Sequence, residues 1–366
     1  MQKTIGSGVF IPISNHGWIR SVHSPSVETA EYTRVLEIVR GAECLGFDFV
    51  LSPANWRGLR GPSQHWWYSL ESVTTSAALL QATSRINVFS TVHVTIFPPA
   101  LVAKMAVTLD QIGPGRVGLN LVTGGSYLDL AHLGMWNDAL DHDGRYDLAD
   151  EWLDVVKRLW TDEVVTHKGR FFETMGGTMR PKPSRMPQLV NAGASSRGLR
   201  FAVENCDAAL ITTGDDPNLT ETTRNAKRKA QELNKPNLKI FGVITAIPGS
   251  TDEEAQARLD YFEAGMDREA QADAVAGYEQ NRSCKELSKA SRSLTVQSSV
   301  LPGTIVGAPE TLASRLAATV IDGELDALML IVPDYVDDLK IIATKVFPLM
   351  AEYGVTVNLN ATAAAY

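Results

Sequence analysis

The stretch that most restricts what this 366-residue chain can fold into is Arg116-Val117-Gly118-Leu119-Asn120-Leu121-Val122-Thr123-Gly124-Gly125. Its apolar residues run on without the polar alternation of a half-exposed strand. It therefore reads as a strand buried on both faces, and such strands belong to parallel sheets covered by helices. Asn120 interrupts the run near its carboxyl end, and two glycines follow. In parallel α/β folds ligands sit off the carboxyl ends of the strands, which points to a binding role for Asn120. The competing reading is an Asn that only caps a turn.

The rest of the chain has to supply partners for that strand. A first strand over 8–13 leads into the loop Asn15-His16-Gly17-Trp18, a helix over 29–45 follows, and Gly46 ends it before a strand over 47–51. Next come Ala54, Asn55 and Trp56, then a long loop through Trp66 and Trp67; loops of that length after a strand tend to be functional. A helix over 70–81, a strand over 86–91, a loop over 93–99 and a helix over 100–112 lead to the opening strand. Four strand-helix units in about 120 residues is the cadence of a (β/α)8 TIM barrel. A doubly wound open sheet is the rival, and the first strand lacks its GxGxxG turn.

Downstream, 125–141 reads as a short excursion, and Asp141-His142-Asp143-Gly144-Arg145-Tyr146 opens a helix running to about residue 160, a polar cluster able to hold an anion. A hairpin over 167–179 ends at Pro181 and Pro183, before a strand over 188–191. The turn Ala192-Gly193-Ala194-Ser195-Ser196-Arg197-Gly198 then opens a helix. Small residues there expose backbone N–H groups at a helix amino end, where phosphate binds well, although an ordinary Ser-capped helix has the same pattern. Strands over 207–212 and 238–246 flank a polar helix over 217–233, and another helix covers 251–266. The segment 267–301 reads as an inserted helical excursion or mobile lid. A strand over 303–307, a helix over 309–321, a strand over 327–332 and a helix over 335–353 complete the eight units. With no repeat and no linker, the whole chain is expected to form a single barrel domain.

Composition narrows the ligand. A net charge of −8, with no Lys/Arg block, argues against nucleic acid and against a membrane surface, and favours a small molecule. Cys44, Cys206 and Cys284 lie far apart without a CxxC pair, so neither a disulfide framework nor a zinc site is suggested. His16, His23, His65, His132, His142 and His167 do not share metal-ligand spacing, and no metal is expected. With no targeting segment and no run of roughly 18 apolar residues, a cytoplasmic protein is expected.

Phe10-Ile11-Pro12-Ile13 with Asn15, Gly17 and Trp18, Gly46-Phe47-Asp48-Phe49, Ala82-Thr83-Ser84-Arg85-Ile86, Pro99-Ala100 with Ala103-Lys104, and Gly115-Arg116 through Gly124 resemble the bacterial-luciferase-like flavin monooxygenases. Within them the similarity is to the pyrimidine and dimethyl sulfone monooxygenase group. It covers residues 8 to 350 and is weakest after Asp267. The resemblance implies FMN, delivered in reduced form by a separate NAD(P)H:flavin reductase, together with O2 and assembly as a homodimer or homotetramer. It also implies cofactor contacts at Asn120, Asp129 (where the group has Glu), Arg145, Tyr146 and Ser195, with Ala194 beside it. Ala54-Asn55 stands where the group has Ile-Lys, and His93 replaces a small residue near the oxygen and substrate pocket.

In such an enzyme the cofactor carries the difficult chemistry and the protein positions and dries the site. His93 is the best candidate for a general acid/base, against the alternative of a packed, satisfied imidazole. Asn55 is a candidate for a hydrogen bond to flavin or substrate. Trp18, Trp56, Trp66, Trp67 and Trp136 fall in loops at the mouth, where aromatic faces can sandwich a flat ligand, with at most two of them assigned to substrate. The leading expectation is a two-component FMN-dependent monooxygenase acting on a small, flat cyclic amide or N-heterocycle. The alternatives are a sulfone monooxygenase, an F420-dependent reductase and a noncatalytic flavin-binding protein.

Overall fold

The structure, a computed structural model, describes residues 2–25, 30–124, 126–193, 195–214, 216–279 and 298–360. Eight parallel strands close into a ring: β1 (Lys3–Phe10), β2 (Phe49–Ser52), β3 (Asn87–His93), β4 (Val117–Val122), β7 (Gln188–Asn191), β8 (Ala208–Thr212), β9 (Lys239–Pro248) and β11 (Ala327–Ile331). Closure comes from β11, which pairs with β9 on one side and with β1 on the other. The fold is therefore the expected (β/α)8 TIM barrel. Helices on the outside include α1 (Tyr32–Leu45), α2 (Ser72–Ala82), α3 (Pro99–Ile112), α5 (His142–Thr161), α6 (Ser196–Asn205), α7 (Pro217–Glu232), α8 (Asp252–Ala264) and α10 (Pro309–Asp322).

Several boundaries differ from the expected ones. Strand β1 begins at Lys3, earlier than expected, and stops at Phe10; Ile11 still donates its N–H to Leu51 O at 2.9 Å, but the ladder has ended. The excursion after β4 contains a short helix, α4 (Tyr127–His132). The hairpin consists of β5 (Val165–Lys168) and β6 (Glu173–Gly177), apart from the barrel. The strand expected over 303–307 is β10 (Ile305–Gly307). It pairs only with Ala246, Ile247 and Pro248 at the far end of β9 and lies outside the ring. A strand not anticipated, β12 (Val355–Val357), pairs with the start of β1. The helix expected over 335–353 is interrupted: α11 (Asp337–Ile341) widens into a π turn over Ile342–Val346. Pro348, just beyond, has no N–H to return to the preceding turn. Within the expected insertion lies α9 (Arg268–Glu279), while 280–297 falls outside the described residues.

Residues two apart on a strand share a face, and the inward faces stack into layers. At the floor the Phe49 ring meets Phe89 edge-on (centroids 5.5 Å) and stacks on Phe241 (5.0 Å). Gly8 and Gly118 make room for them, since a Cβ on either would stand 2.2 Å from the ring of Phe49 or Phe89. Leu51, Val190, Leu210, Val243, Met329 and Ile331 fill the layers above, with Phe10 and Trp18 packed against them. The floor is thus shut by aromatic rings, and the polar inward residues gather at the opposite, carboxyl end.

Candidate active site

At that end Asn120 faces inward from β4, in register with Thr91 of β3. Its Nδ2 donates to Thr91 Oγ1 at 3.0 Å, and Thr91 Oγ1 donates to Ser52 O at 2.7 Å. The Thr91 N–H donates to Ser72 Oγ at 2.9 Å, and Ser72 Oγ lies 2.6 Å from Ser52 Oγ. This chain locks the amide, which is only 4% exposed, with Oδ1 buried and unpaired. Thr245, on the inward face of β9, is equally buried and also holds an unpaired hydroxyl. An unmet buried acceptor costs about 1–3 kcal/mol, and so marks a place where a ligand group completes the bonding.

His93, at the end of β3, accepts a hydrogen bond at Nδ1 from Trp56 Nε1 (3.1 Å). Burial lowers its pKa from the ordinary 6.5 to about 4, so the imidazole is neutral near pH 7. With Nδ1 the acceptor, the proton sits on Nε2. Ala54 and Asn55 are half-buried just after β2. Asn55 Nδ2 donates to Ser14 Oγ (2.9 Å), tying the loops after β1 and β2 together.

A second polar cluster forms where α5 meets the start of α6. Ser195 caps α6, its hydroxyl accepting from the Gly198 N–H at 3.0 Å and lying 3.1 Å from His142 Nε2. His142 Nδ1 in turn lies 2.7 Å from Asp143 Oδ1. The buried Tyr146 hydroxyl is hydrogen-bonded with Thr123 and Ser195, and burial raises its pKa. That hydroxyl occupies space a Cβ on Gly193 or Gly198 would need, at 2.4 Å in either case. Arg145 is buried beneath Trp136 (5.3 Å to the ring centroid), donates from Nη1 to Leu140 O, and lines a cavity of about 310 Å³ with Thr95, Leu130 and Trp136. Ala194 lies outside the described residues.

Asp129 stands on α4, where burial raises its carboxyl pKa and the Arg57 charge opposes the rise. Arg57 pairs with Asp273 of α9 at 2.7 Å, and the Asp267 carboxylate binds Ser63 while accepting from the first N–H groups of α9. Helix α9 is thereby fastened over the loops that follow β1, β2 and β4.

The tryptophans separate into groups. Trp18 packs on Phe10 (4.1 Å) and meets Trp66 edge-on (5.7 Å), forming one wall of the mouth; Trp66 donates to Gly17 O. Trp56 serves His93, whereas Trp136 belongs to the Arg145 cluster. Trp67 is 57% exposed and donates to Leu59 O, an outward-facing rim contact. Sequence reasoning missed Thr91 and Thr245, and it missed Arg20 beneath α9 and Tyr278 on it. For Thr91 a signal existed, a polar residue two positions after the inward Phe89. Among the described residues no three His, Cys, Asp or Glu side chains gather as a metal ion requires, and no helix is long and apolar enough to cross a membrane.

A strand-end amide, a small-residue helix start and aromatic walls thus meet at one mouth of the TIM barrel, and this mouth is the candidate enzyme site. A family profile described as luciferase-like monooxygenase covers residues 6–323, and the chain belongs to that family: it is an oxidoreductase, a monooxygenase of the flavin-dependent type. It is 33% identical over 365 residues to the pyrimidine monooxygenase RutA of Allorhizobium ampelinum, spanning 98% of this chain and 99% of that one. The RutA of Caulobacter segnis is also 33% identical, over 94% of this chain and 98% of its own. Among solved structures, riboflavin lyase RcaE superposes with a TM-score of 0.83 at 19% identity (98% and 94% coverage). DmoA from Hyphomicrobium sulfonivorans superposes with 0.76 at 20% (97% and 89%). At these identities the two structures speak to the fold.

Proposed function

We propose that the protein is a two-component monooxygenase that takes reduced FMN from a separate NAD(P)H:flavin reductase and oxygenates a small, flat cyclic amide or N-heterocycle. The observation that carries the cofactor is the pairing, on adjacent strands β4 and β7, of the buried acceptor Asn120 Oδ1 with the cradle at the start of α6. That cradle suits a phosphate: Ser195 offers a hydroxyl, the helix start offers N–H groups, Tyr146 a phenol and Arg145 a fixed positive charge. Asn120 Oδ1 suits an N–H of a flavin ring. Asp129, Ala54, Asn55 and Ala194 are assigned to the same ligand.

Bound reduced FMN supplies the electrons that activate O2; the protein binds, orients and excludes water. His93 offers a donor at Nε2 and Trp56 holds that ring in place. Trp18 and Trp66 supply the flat wall for the substrate, with Trp56 and Trp136 as further pocket walls. The pyrimidine ring named for the two relatives supports a flat ring over a sulfone as substrate, and the assembly is proposed to be a homodimer or homotetramer.

The test combines the protein with a flavin reductase, NADH, FMN and a panel of uracil-like rings and sulfones. Oxygenated product from a ring is the expected result. Binding of reduced FMN without product from any member overturns the substrate class, and preference for coenzyme F420 over FMN in a titration overturns the cofactor.

A further inference from the structure

Several of the less exposed arginines have acidic or carbonyl partners. Arg57 pairs with Asp273 at 2.7 Å, Arg197 with Asp150 at 2.5 Å and Arg258 with Asp338 at 2.9 Å, while Arg116 bonds Thr83, Leu80 and Ile86. Arg20 differs. It follows the mouth loop after β1, and its backbone is tied to Ser299 O at 2.8 Å and to the Asp267 N–H at 3.0 Å, at the foot of α9. Among the described residues its guanidinium makes one hydrogen bond, Nη1 to the uncharged Gln271 Oε1 (3.1 Å), and lies 5.7 Å from the Trp66 ring centroid. Nε is buried with no partner, and no described carboxylate forms an ion pair with it. Burial lowers its pKa, with Tyr278 as the group acting in the opposite direction.

Its surroundings are rich in donors, and among the described residues no carboxylate lies within ion-pair distance of the guanidinium. The Trp18 indole N–H is buried and unpaired, and so are both ring nitrogens of His65, which burial and Arg20 together keep neutral. Trp18 stands on Phe10 at the barrel mouth and touches Trp66, so a continuous aromatic wall leads from the barrel interior to the guanidinium. Tyr278, on α9, feels the charges of both Arg20 and Asp129. The half-buried guanidinium has no ion-pair partner among the described residues, and an anion arriving with the ligand would supply one.

We propose that Arg20 is the specificity determinant of this enzyme and that its ring substrate carries a carboxylate, which pairs with the guanidinium while the Trp18–Trp66 wall flanks the ring. The inference rests on the monooxygenase reading above and adds the charge of the substrate. A planar guanidinium fork matches a carboxylate bidentately and discriminates strongly against a neutral amide in the same place.

The test titrates two matched pairs, uracil with uracil-6-carboxylate and nicotinamide with nicotinate, into the FMN-saturated protein by calorimetry. The wild type, Arg20→Met, Arg20→Lys and the exposed control Arg228→Met are compared. At least one acid is expected to bind the wild type and Arg228→Met ten-fold or more tightly than its uncharged partner. Arg20→Met is expected to lose that preference and Arg20→Lys to keep part of it, with FMN affinity held in both. The proposal is overturned if neither acid is preferred by the wild type, a result that needs no variant to fold, or if the preference survives in Arg20→Met. FMN titration on the same samples separates the two readings. A wild type that binds FMN but prefers no acid sinks this inference alone, whereas one that does not bind FMN removes the flavin reading.

Discussion

Asn120 splits its amide between two tasks: Nδ2 is spent on Thr91, and Oδ1 is left buried and unmet. Asn120→Ala removes both, so Thr91 loses a donor and the flavin loses the partner proposed for it. FMN affinity is expected to fall roughly 5- to 30-fold, about 1–2 kcal/mol, in a fluorescence titration; an unchanged affinity would detach Asn120 from the cofactor. His93 shows the opposite economy, since its Nδ1 accepts from Trp56 only while unprotonated, and burial pulls its pKa from 6.5 to about 4. Between those values the unfolded chain binds more protons than the native state, so stability rises with pH across that window. The contribution is complete above pH 6.5 and is lost as pH falls toward 4, at most about 3 kcal/mol. His93→Phe is expected to flatten the urea-unfolding free energy between pH 6.5 and 4 relative to the wild type. A parallel pH dependence would mean that His93 is not buried neutral. A rate profile of the wild type is likewise expected to show no step from His93 near pH 6.5.

The start of α6 is where element geometry and chemistry coincide. Gly193 and Gly198 face each other with the Tyr146 hydroxyl between them, so helix and strand end approach more closely than side chains at those positions allow. Gly198→Ala brings a Cβ within 2.4 Å of that hydroxyl. Tyr146 must then move away from Ser195, and FMN affinity is expected to fall roughly ten-fold while riboflavin, which lacks the phosphate, loses less. Equal losses for the two ligands would show that the cradle does not read phosphate. This part of the site was legible in the sequence because its signals are local: a small-residue turn after a buried strand, and an Arg-Tyr pair opening an amphipathic helix. The wall beneath α9 was not. Arg20 and Gln271 are 251 positions apart, and nothing in either neighbourhood announces that α9 folds back over the loop after β1. Thr91 and Thr245 looked like ordinary strand residues until ring closure turned them toward one mouth.

The molecule as a whole was legible because a closed parallel barrel writes its cadence into the chain as buried strands separated by amphipathic helices. Among the elements that escaped that reading, two did so for reasons visible in their residues. Ile305–Gly307 has the composition of a barrel strand, but β9 runs on past the ring and offers its last residues as a private edge. The first residues of β1 include Gly6 and Ser7, small groups that hide a strand whose inward face must leave space rather than fill it. That requirement is sharpest at the floor, where glycines on β1 and β4 admit the rings that plug the barrel. Gly118→Ala places a methyl 2.2 Å from Phe89, in a layer where Phe89, Phe49 and Phe241 pack against one another with little room to yield. Destabilisation of about 1–3 kcal/mol by urea unfolding is expected, with FMN affinity unchanged because the mouth lies at the other end. Phe89→Leu removes the clashing edge, so the double variant is expected to lose at least about 1 kcal/mol less than the two single losses combined. Strict additivity of the two would mean that Gly118 is small for some reason other than the Phe89 ring, and the account of a floor shaped by glycine would fail.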